Sequence, residues 1–93
     1  MASKDDLLHR NLIIVNELGL HARSAAKLAK TAQEADKGVW LQIDDHRVDA
    51  KQVLDILTLG AGQGDRITVG IEGPEDTATL ERIVALINAG FGE

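Results

Sequence analysis

The sequence predicts an α+β domain in which a four-stranded antiparallel sheet carries three helices on one face. Short apolar or alternating runs, typical of strands, are separated by segments whose apolar residues recur every three or four positions, typical of helices. The order is strand, helix, strand, strand, helix, strand, helix (β-α-β-β-α-β-α), and a sheet with one apolar face needs helices to cover it. The 93 residues can bury one core, so we expect a single domain over 1–93.

The first strand is predicted at residues 12–15, after a partly flexible arm at 1–11. Both faces of this run are apolar, so the strand either lies centrally in the sheet or exposes a small apolar patch. Within the arm, His9 is expected to be a solvated surface residue, because no metal-ligand partner stands at a suitable spacing from it.

The first helix is predicted over 22–35 and ends before Gly38. Two strands follow at 39–43 and 46–49, joined as a hairpin through a tight turn at Asp44-Asp45. His46 should lie on the exposed edge of this hairpin. The inward face of the helix is expected to consist of Ala25, Leu28, Ala29 and Ala32.

The second helix is predicted over 51–59 and carries more apolar residues than one inward stripe can hold. Some of Val53, Leu54 and Leu57 should therefore remain at the surface. Composition alone leaves two interpretations open: a docking surface for a protein partner, or simple burial under neighbouring loops.

The rest of the chain alternates and then becomes helical again. The glycine-rich run at 60–65 lacks the lysine and hydroxyl of a P-loop and reads as a turn. A strand follows at 66–72, with one apolar face formed by Ile67, Val69 and Ile71. After a breaker at Gly73-Pro74, the last helix should end at Gly90 and bury Leu80, Ile83, Val84 and Ile87.

Composition narrows the classes of partner and compartment. The net charge is −5 and no run of basic residues occurs, which argues against nucleic acid, because such binding needs clustered cations. Without cysteine there is no disulfide or thiolate site, and we expect no metal and no cofactor. The apolar runs are far shorter than the roughly 20 residues of a membrane helix, and Asp5-Asp6 is unlike a signal peptide. We therefore expect a cytoplasmic protein without a membrane partner.

His21 is the candidate functional residue, because it lies where the first helix begins, after Gly19. The first turn of a helix has unpaired N–H groups and the positive end of the helix dipole, both of which favour phosphate oxygens. Arg23 offers a planar set of donors that matches phosphate. A histidine at this point could hold a phosphoryl group, although a lone histidine in a short protein is more often structural or solvated.

The motif Gly19-Leu20-His21-Ala22-Arg23-Ser24-Ala25 resembles the hallmark of the HPr family, the histidine-containing phosphocarriers of the bacterial phosphotransferase system. The family's second segment is matched at 50–60. The resemblance implies an open-faced β-sandwich and a phosphoryl group carried on His21, received from phospho-Enzyme I and passed to an IIA-type protein. Such a protein is a carrier with a phosphohistidine intermediate and not a stand-alone catalyst.

The resemblance also implies roles for individual residues. His21 and Arg23 would carry the chemistry, and the phosphate would be bound by Ala22, Arg23 and Ser24, with backbone N–H groups around its oxygens. On the second helix, the resemblance implies that the partner-binding residues are Gln52, Val53, Leu54 and Leu57. Lys27 and Lys30 are also candidate partner-binding residues, because two cations one turn apart could steer acidic partners, but a solvated helix face explains either lysine equally well.

Two positions depart from the family pattern. Ser24 stands where the family has proline, which adds an N–H and a hydroxyl near the phosphate site. Gln52 stands where many relatives carry a kinase-regulated serine, so we expect that regulation to be absent.

Two functions remain open at the level of the sequence. The first is phosphotransfer, in either sugar uptake or nitrogen-type regulation. The alternative is a regulatory module of the same fold that signals by binding protein partners. A ferredoxin-like ligand-binding domain shares much of the predicted element order, and propensity alone does not exclude it, although its second helix is usually longer and it would not explain the pair His21 and Arg23. A small-ligand sensor would need a concave pocket that the sequence does not reveal.

Overall fold

The computed structural model describes residues 8–93, which form one four-stranded sheet and three helices. All neighbouring strands are antiparallel, and their order across the sheet is β1-β4-β2-β3. The predicted element order is confirmed. The elements are β1 (His9–Ile13), α1 (Ala22–Ala32), β2 (Val39–Ile43), β3 (His46–Asp49), α2 (Val53–Leu57), β4 (Arg66–Ile71) and α3 (Thr77–Asn88).

The core lies between the helices and one face of the sheet, and it is almost wholly aliphatic. The predicted inward residues of β4 are buried, and so are those of α1. Of the four core residues predicted in α3, Val84 is only half-buried. The other three, Leu80, Ile83 and Ile87, are buried. Phe91 is the one aromatic side chain in this core, and it is 1% exposed.

The predicted position of the first strand is wrong: β1 begins three residues earlier and ends two residues earlier than predicted. Residues 9–11, assigned to a flexible arm, belong to β1, while residues 1–7 of that arm lie outside the described residues. The backbone of β1 pairs with β4 from His9 opposite Gly70 to Ile13 opposite Arg66. An edge strand needs only one partner and one buried face, so polar residues are accommodated on its other face. The apolar run at 12–15 extends beyond the end of β1. Ile13, the last residue of β1, is 50% exposed.

Two helices, α1 and α2, end earlier than predicted for the same reason, and α2 also begins two residues later than predicted. After α1, the N–H groups of Glu34 and Ala35 bond to carbonyls three residues back, and Thr58 and Leu59 do the same after α2. Such tighter turns commonly end helices. Ala35 is still buried, so the predicted inward face continues beyond the α-helix.

None of α1, α2 and α3 covers the outer face of the sheet, which holds a small aromatic group. The guanidinium of Arg47 lies 3.7 Å from the centroid of the Trp40 ring, and the His9 ring lies 6.4 Å from it. His9 is thus half-buried, not fully solvated as predicted. A side chain at Gly70, opposite Trp40, would overlap the indole, so only glycine fits there. His46 is exposed on β3, as predicted.

Candidate functional site

The segment before α1 is pressed against the loop that follows α2. The Leu20 N–H donates to the Ala61 carbonyl at 2.9 Å. Gly19 has φ +65°, and a Cβ there would overlap the Ala61 carbonyl. Only glycine therefore allows this close approach. The approach places His21 immediately before the first residue of α1.

His21 is the N-cap of α1, with extended backbone angles. Its Nδ1 accepts the Arg23 N–H at 3.3 Å. In return, the Ser24 hydroxyl accepts the His21 N–H at 3.0 Å and donates to the Gly19 carbonyl at 2.8 Å. This is a capping box in which a histidine takes the usual place of serine or threonine. The Nδ1 lone pair therefore points at the open N–H groups of the helix.

The other ring nitrogen of His21 contacts a carboxylate. Nε2 lies 2.5 Å from Oε2 of Glu93. Because Nδ1 accepts a hydrogen bond, the ring proton is on Nε2, and Nε2 donates to Glu93. Hydrogen bonds from Asn16 and then from His21 hold the pKa of Glu93 below its ordinary value. The His21 side chain is still 31% exposed, so a phosphoryl donor can reach the ring.

Two basic side chains, Arg23 and Lys27, line the same depression as this ring, and a third lies further along α1. Arg23 is exposed, and within residues 8–93 its guanidinium has no hydrogen-bond or ion-pair partner. Lys27 donates from Nζ to the Phe91 carbonyl at 2.6 Å. Lys30 lies on the exposed side of the last turn of α1. Together these groups give a basic surface to a protein whose net charge is −5.

The structure brings together most of the residues predicted to act on phosphate. One open depression is lined by Leu18, His21, Ala22, Arg23, Lys27, Gly92 and Glu93. Ser24 differs, because it is 0% exposed and its hydroxyl is bonded to the backbone. The Ser24 hydroxyl, which we expected near the phosphate, is thus buried beneath the start of the helix. Of the two Ser24 donors, only the backbone N–H remains a candidate to bind phosphate.

The predicted docking residues of α2 differ in how far the structure exposes them. Leu54 is 77% exposed, which confirms that part of the apolar surplus remains at the surface. Val53 and Leu57 are half-buried and pack against the core, and Gln52 is exposed at the N-cap of α2. Because the loop after α2 bonds to Leu20, this helix leads directly toward the His21 site.

Sequence reasoning missed three residues of the site. Leu18 is 68% exposed at the rim of the depression. Asn16 is buried and donates to both Gly19 and Glu93. Glu93 is separated from His21 by 72 positions in the sequence. The apolar character of Leu18 just before the motif was a usable signal, whereas no local pattern connects Glu93 to the helix start.

Comparison with known proteins decides the family. The model of PTS-HPr, described as the PTS HPr component phosphorylation site, matches residues 8–89. This chain belongs to the PTS-HPr family. The phosphocarrier protein HPr of Cupriavidus necator is 37% identical over 94% of this chain and 98% of its own length. The phosphocarrier protein NPr of Shewanella violacea is 41% identical over 92% of this chain and 94% of its own length.

Solved structures of PTS-HPr proteins share the fold. HPr-C-His from Thermoanaerobacter tengcongensis superposes with a TM-score of 0.86 at 34% identity, covering 91% of this chain and 96% of that one. HPr from Bacillus anthracis gives 0.80 at 28% identity, covering 86% of this chain and 95% of that one. The predicted open-faced sandwich is thereby confirmed.

Two kinds of feature are absent from the described residues. Within 8–93, no group of three or more histidine, aspartate or glutamate side chains could hold a metal ion. In the same part of the chain, no helix has both the length and the apolar character needed to span a bilayer.

Proposed function

We propose that His21 carries the phosphoryl group of this PTS-HPr phosphocarrier on Nδ1. Phosphocarrier function itself follows from membership of the family. The observation that carries the assignment to His21 is the direction of the Nδ1 lone pair, which points at the N-terminus of α1 beside the exposed side chain of Arg23.

The proposed reaction is a direct displacement at phosphorus. The Nδ1 lone pair forms a P–N bond while the bond between phosphorus and the donor breaks, and the donor keeps that electron pair. The proton of Nε2 stays in place throughout. The phosphoryl oxygens then take the N–H groups of Ala22, Arg23 and Ser24, and Arg23 neutralises part of their charge. Phosphoryl transfer depends mainly on positioning and charge stabilisation, and these N–H groups and Arg23 would supply both.

The proposed donor is phospho-Enzyme I and the proposed acceptor is an IIA-type protein, with both transfers in the cytoplasm. Leu18 and Lys27 line the depression beside His21, while Leu54 is exposed on α2 and Lys30 on α1. This combination suits a partner with an apolar centre and an acidic rim. The relatives include proteins named HPr and proteins named NPr. Acceptors from the sugar branch and the nitrogen branch should therefore be tested side by side.

The test is labelling with Enzyme I and radioactive phosphoenolpyruvate. Acid-labile label should appear on the wild-type protein and be absent from His21→Ala. His46→Ala is the matched control, because His46 is exposed on β3 and lies outside the depression, and it should label like the wild type. Equal labelling of His21→Ala and the wild type would remove His21 from the reaction. Partner binding without any labelling would favour the regulatory module instead.

The assignment to Arg23 has its own test. Arg23→Ala should lower the rate of labelling by about tenfold or more, because a charge-assisted contact to phosphate is lost, while the helix start remains capped. Lys37→Ala, which removes an exposed cation that pairs with Glu75 outside the depression, is the control for a change of general charge. A rate for Arg23→Ala no lower than that of Lys37→Ala would contradict a specific role for Arg23.

A further inference from the structure

We infer that Glu93, held in place by Asn16, is a positioning residue for the phosphoacceptor: its carboxylate keeps the proton on Nε2 and stabilises the charge that the ring gains when Nδ1 takes up phosphorus. The inference rests on the proposed function of His21. It adds two residues, from opposite ends of the described chain, to the reaction.

The position of Glu93 is built into the fold. The turn Gly90–Gly92 has φ values of +63°, +59° and +75° at its three residues. Its central residue, Phe91, is 1% exposed and anchors the turn in the core. The carbonyl of Phe91 also accepts from Lys27 of α1 at 2.6 Å. The backbone before Glu93 is thus fixed on both sides, and the side chain reaches His21 from a defined point.

Asn16 links the two ends of the site. Its Nδ2 donates to Oε1 of Glu93 at 3.0 Å and to the Gly19 carbonyl at 2.9 Å. Its Oδ1 is buried and has no hydrogen-bond partner in the described part of the chain, which is a costly state for a polar atom. A flipped amide would put that oxygen against two other acceptors, so the observed orientation is the better one. Asn16 therefore holds the Glu93 carboxylate beside the residues that lead into His21.

The chemistry gives this contact a consequence. Before the reaction the ring is neutral, with its proton on Nε2. When Nδ1 forms the P–N bond, both ring nitrogens are substituted and the ring becomes cationic. A carboxylate at 2.5 Å from Nε2 is attracted more strongly to that cation than to the neutral ring. Glu93 should therefore stabilise the transition state and the phosphorylated product relative to the free protein.

The experiment uses phosphoramidate, a small donor with a P–N bond, because it needs no partner protein. The His21 Nδ1 lone pair attacks phosphorus, and ammonia leaves with the electrons of the broken P–N bond. Glu93→Gln keeps an acceptor oxygen but loses the charge, and it should slow labelling of His21 by about three- to tenfold, the smaller values reflecting partial exposure of the pair. Glu81→Gln is the matched control, because Glu81 pairs with Arg10 away from the site, and it should leave the rate unchanged.

A double-mutant cycle separates positioning from a structural role. If Asn16 acts through Glu93, Asn16→Ala should slow labelling, and the Asn16→Ala, Glu93→Gln double variant should be no slower than the slower single variant. Long-range proton–nitrogen NMR spectra of His21 provide the second readout. They should show a low-field Nε2 proton in the wild type that moves upfield in Glu93→Gln.

The outcomes divide cleanly between the two proposals. Equal phosphoramidate rates for Glu93→Gln and the wild type would overturn the inference, and so would effects of Asn16→Ala and Glu93→Gln that multiply. If phospho-Enzyme I fails to label the wild type while Glu93→Gln still slows the phosphoramidate reaction, the proposed function fails and the role of Glu93 stands.

Discussion

Replacing Ser24 with alanine should destabilise the protein by about 2 kcal/mol. The hydroxyl is fully buried and makes hydrogen bonds at 3.0 Å and 2.8 Å to the His21 N–H and the Gly19 carbonyl. Losing two such bonds costs about 2–3 kcal/mol, and the better helix propensity of alanine returns about 0.5 kcal/mol. For a domain of this size, the melting temperature should fall by roughly 8–16 °C.

The assay is equilibrium unfolding in urea, followed by fluorescence of Trp40, the single tryptophan. The midpoint should fall while the slope m stays constant, because the area exposed on unfolding hardly changes. Thr31→Ala is the control: its hydroxyl bonds to Lys27 on the exposed side of the same helix, and its loss should change stability by no more than about 0.5 kcal/mol. If Ser24→Ala lowers the free energy of unfolding no more than Thr31→Ala, the capping box contributes little to stability and does not fix the orientation of His21.

Three further predictions concern other parts of the molecule. Phe91→Ala should destabilise the protein by about 3–5 kcal/mol in the same urea assay, and a loss below about 1 kcal/mol would contradict the anchoring of the turn before Glu93. Leu54→Glu should leave stability within about 0.5 kcal/mol, because the side chain is 77% exposed, yet slow labelling by phospho-Enzyme I and spare labelling by phosphoramidate; equal slowing of both would refute docking at α2. The N–H groups of Asp36 and Lys37 hold the pKa of Asp76 below 3.8, so its carboxylate stabilises the fold above that pH and the contribution is lost as pH falls through the lower, folded-state value. Asp76→Asn should flatten the acid limb of a stability–pH curve, and an unchanged limb would contradict this assignment.

The parts of the fold that follow from side-chain period were predictable from the sequence. The alternation in β4 correctly placed Ile67, Val69 and Ile71 in the core, because a one-residue error in register would turn all three toward solvent. The first strand was misplaced because backbone pairing, and not side-chain pattern, decides where an edge strand begins. His9 and Arg10 belong to it through hydrogen bonds to β4 that no local pattern encodes.

The candidate site was predictable only where it is local. His21 and Arg23 stand two positions apart at a helix start, so their proximity follows from the chain itself. Glu93 reaches His21 only after the whole sheet and α3 are assembled, so its contact is a property of the tertiary structure. The burial of the Ser24 hydroxyl was missed for a similar reason, because its acceptor is the Gly19 carbonyl in a turn whose direction is set by the Ala61 loop.

His21 closes the first turn of α1 with the same nitrogen that is proposed to receive phosphorus. Loading the ring would remove the Nδ1 acceptor and give the helix a dianion in its place, so charging the carrier and ordering its helix are two sides of one thermodynamic cycle. If phosphorylation raises the free energy of unfolding, the folded protein must stabilise phosphohistidine by the same amount relative to an unstructured histidine peptide. The free energy of phosphoryl transfer from such a carrier is then set by the helix N-terminus as well as by the P–N bond.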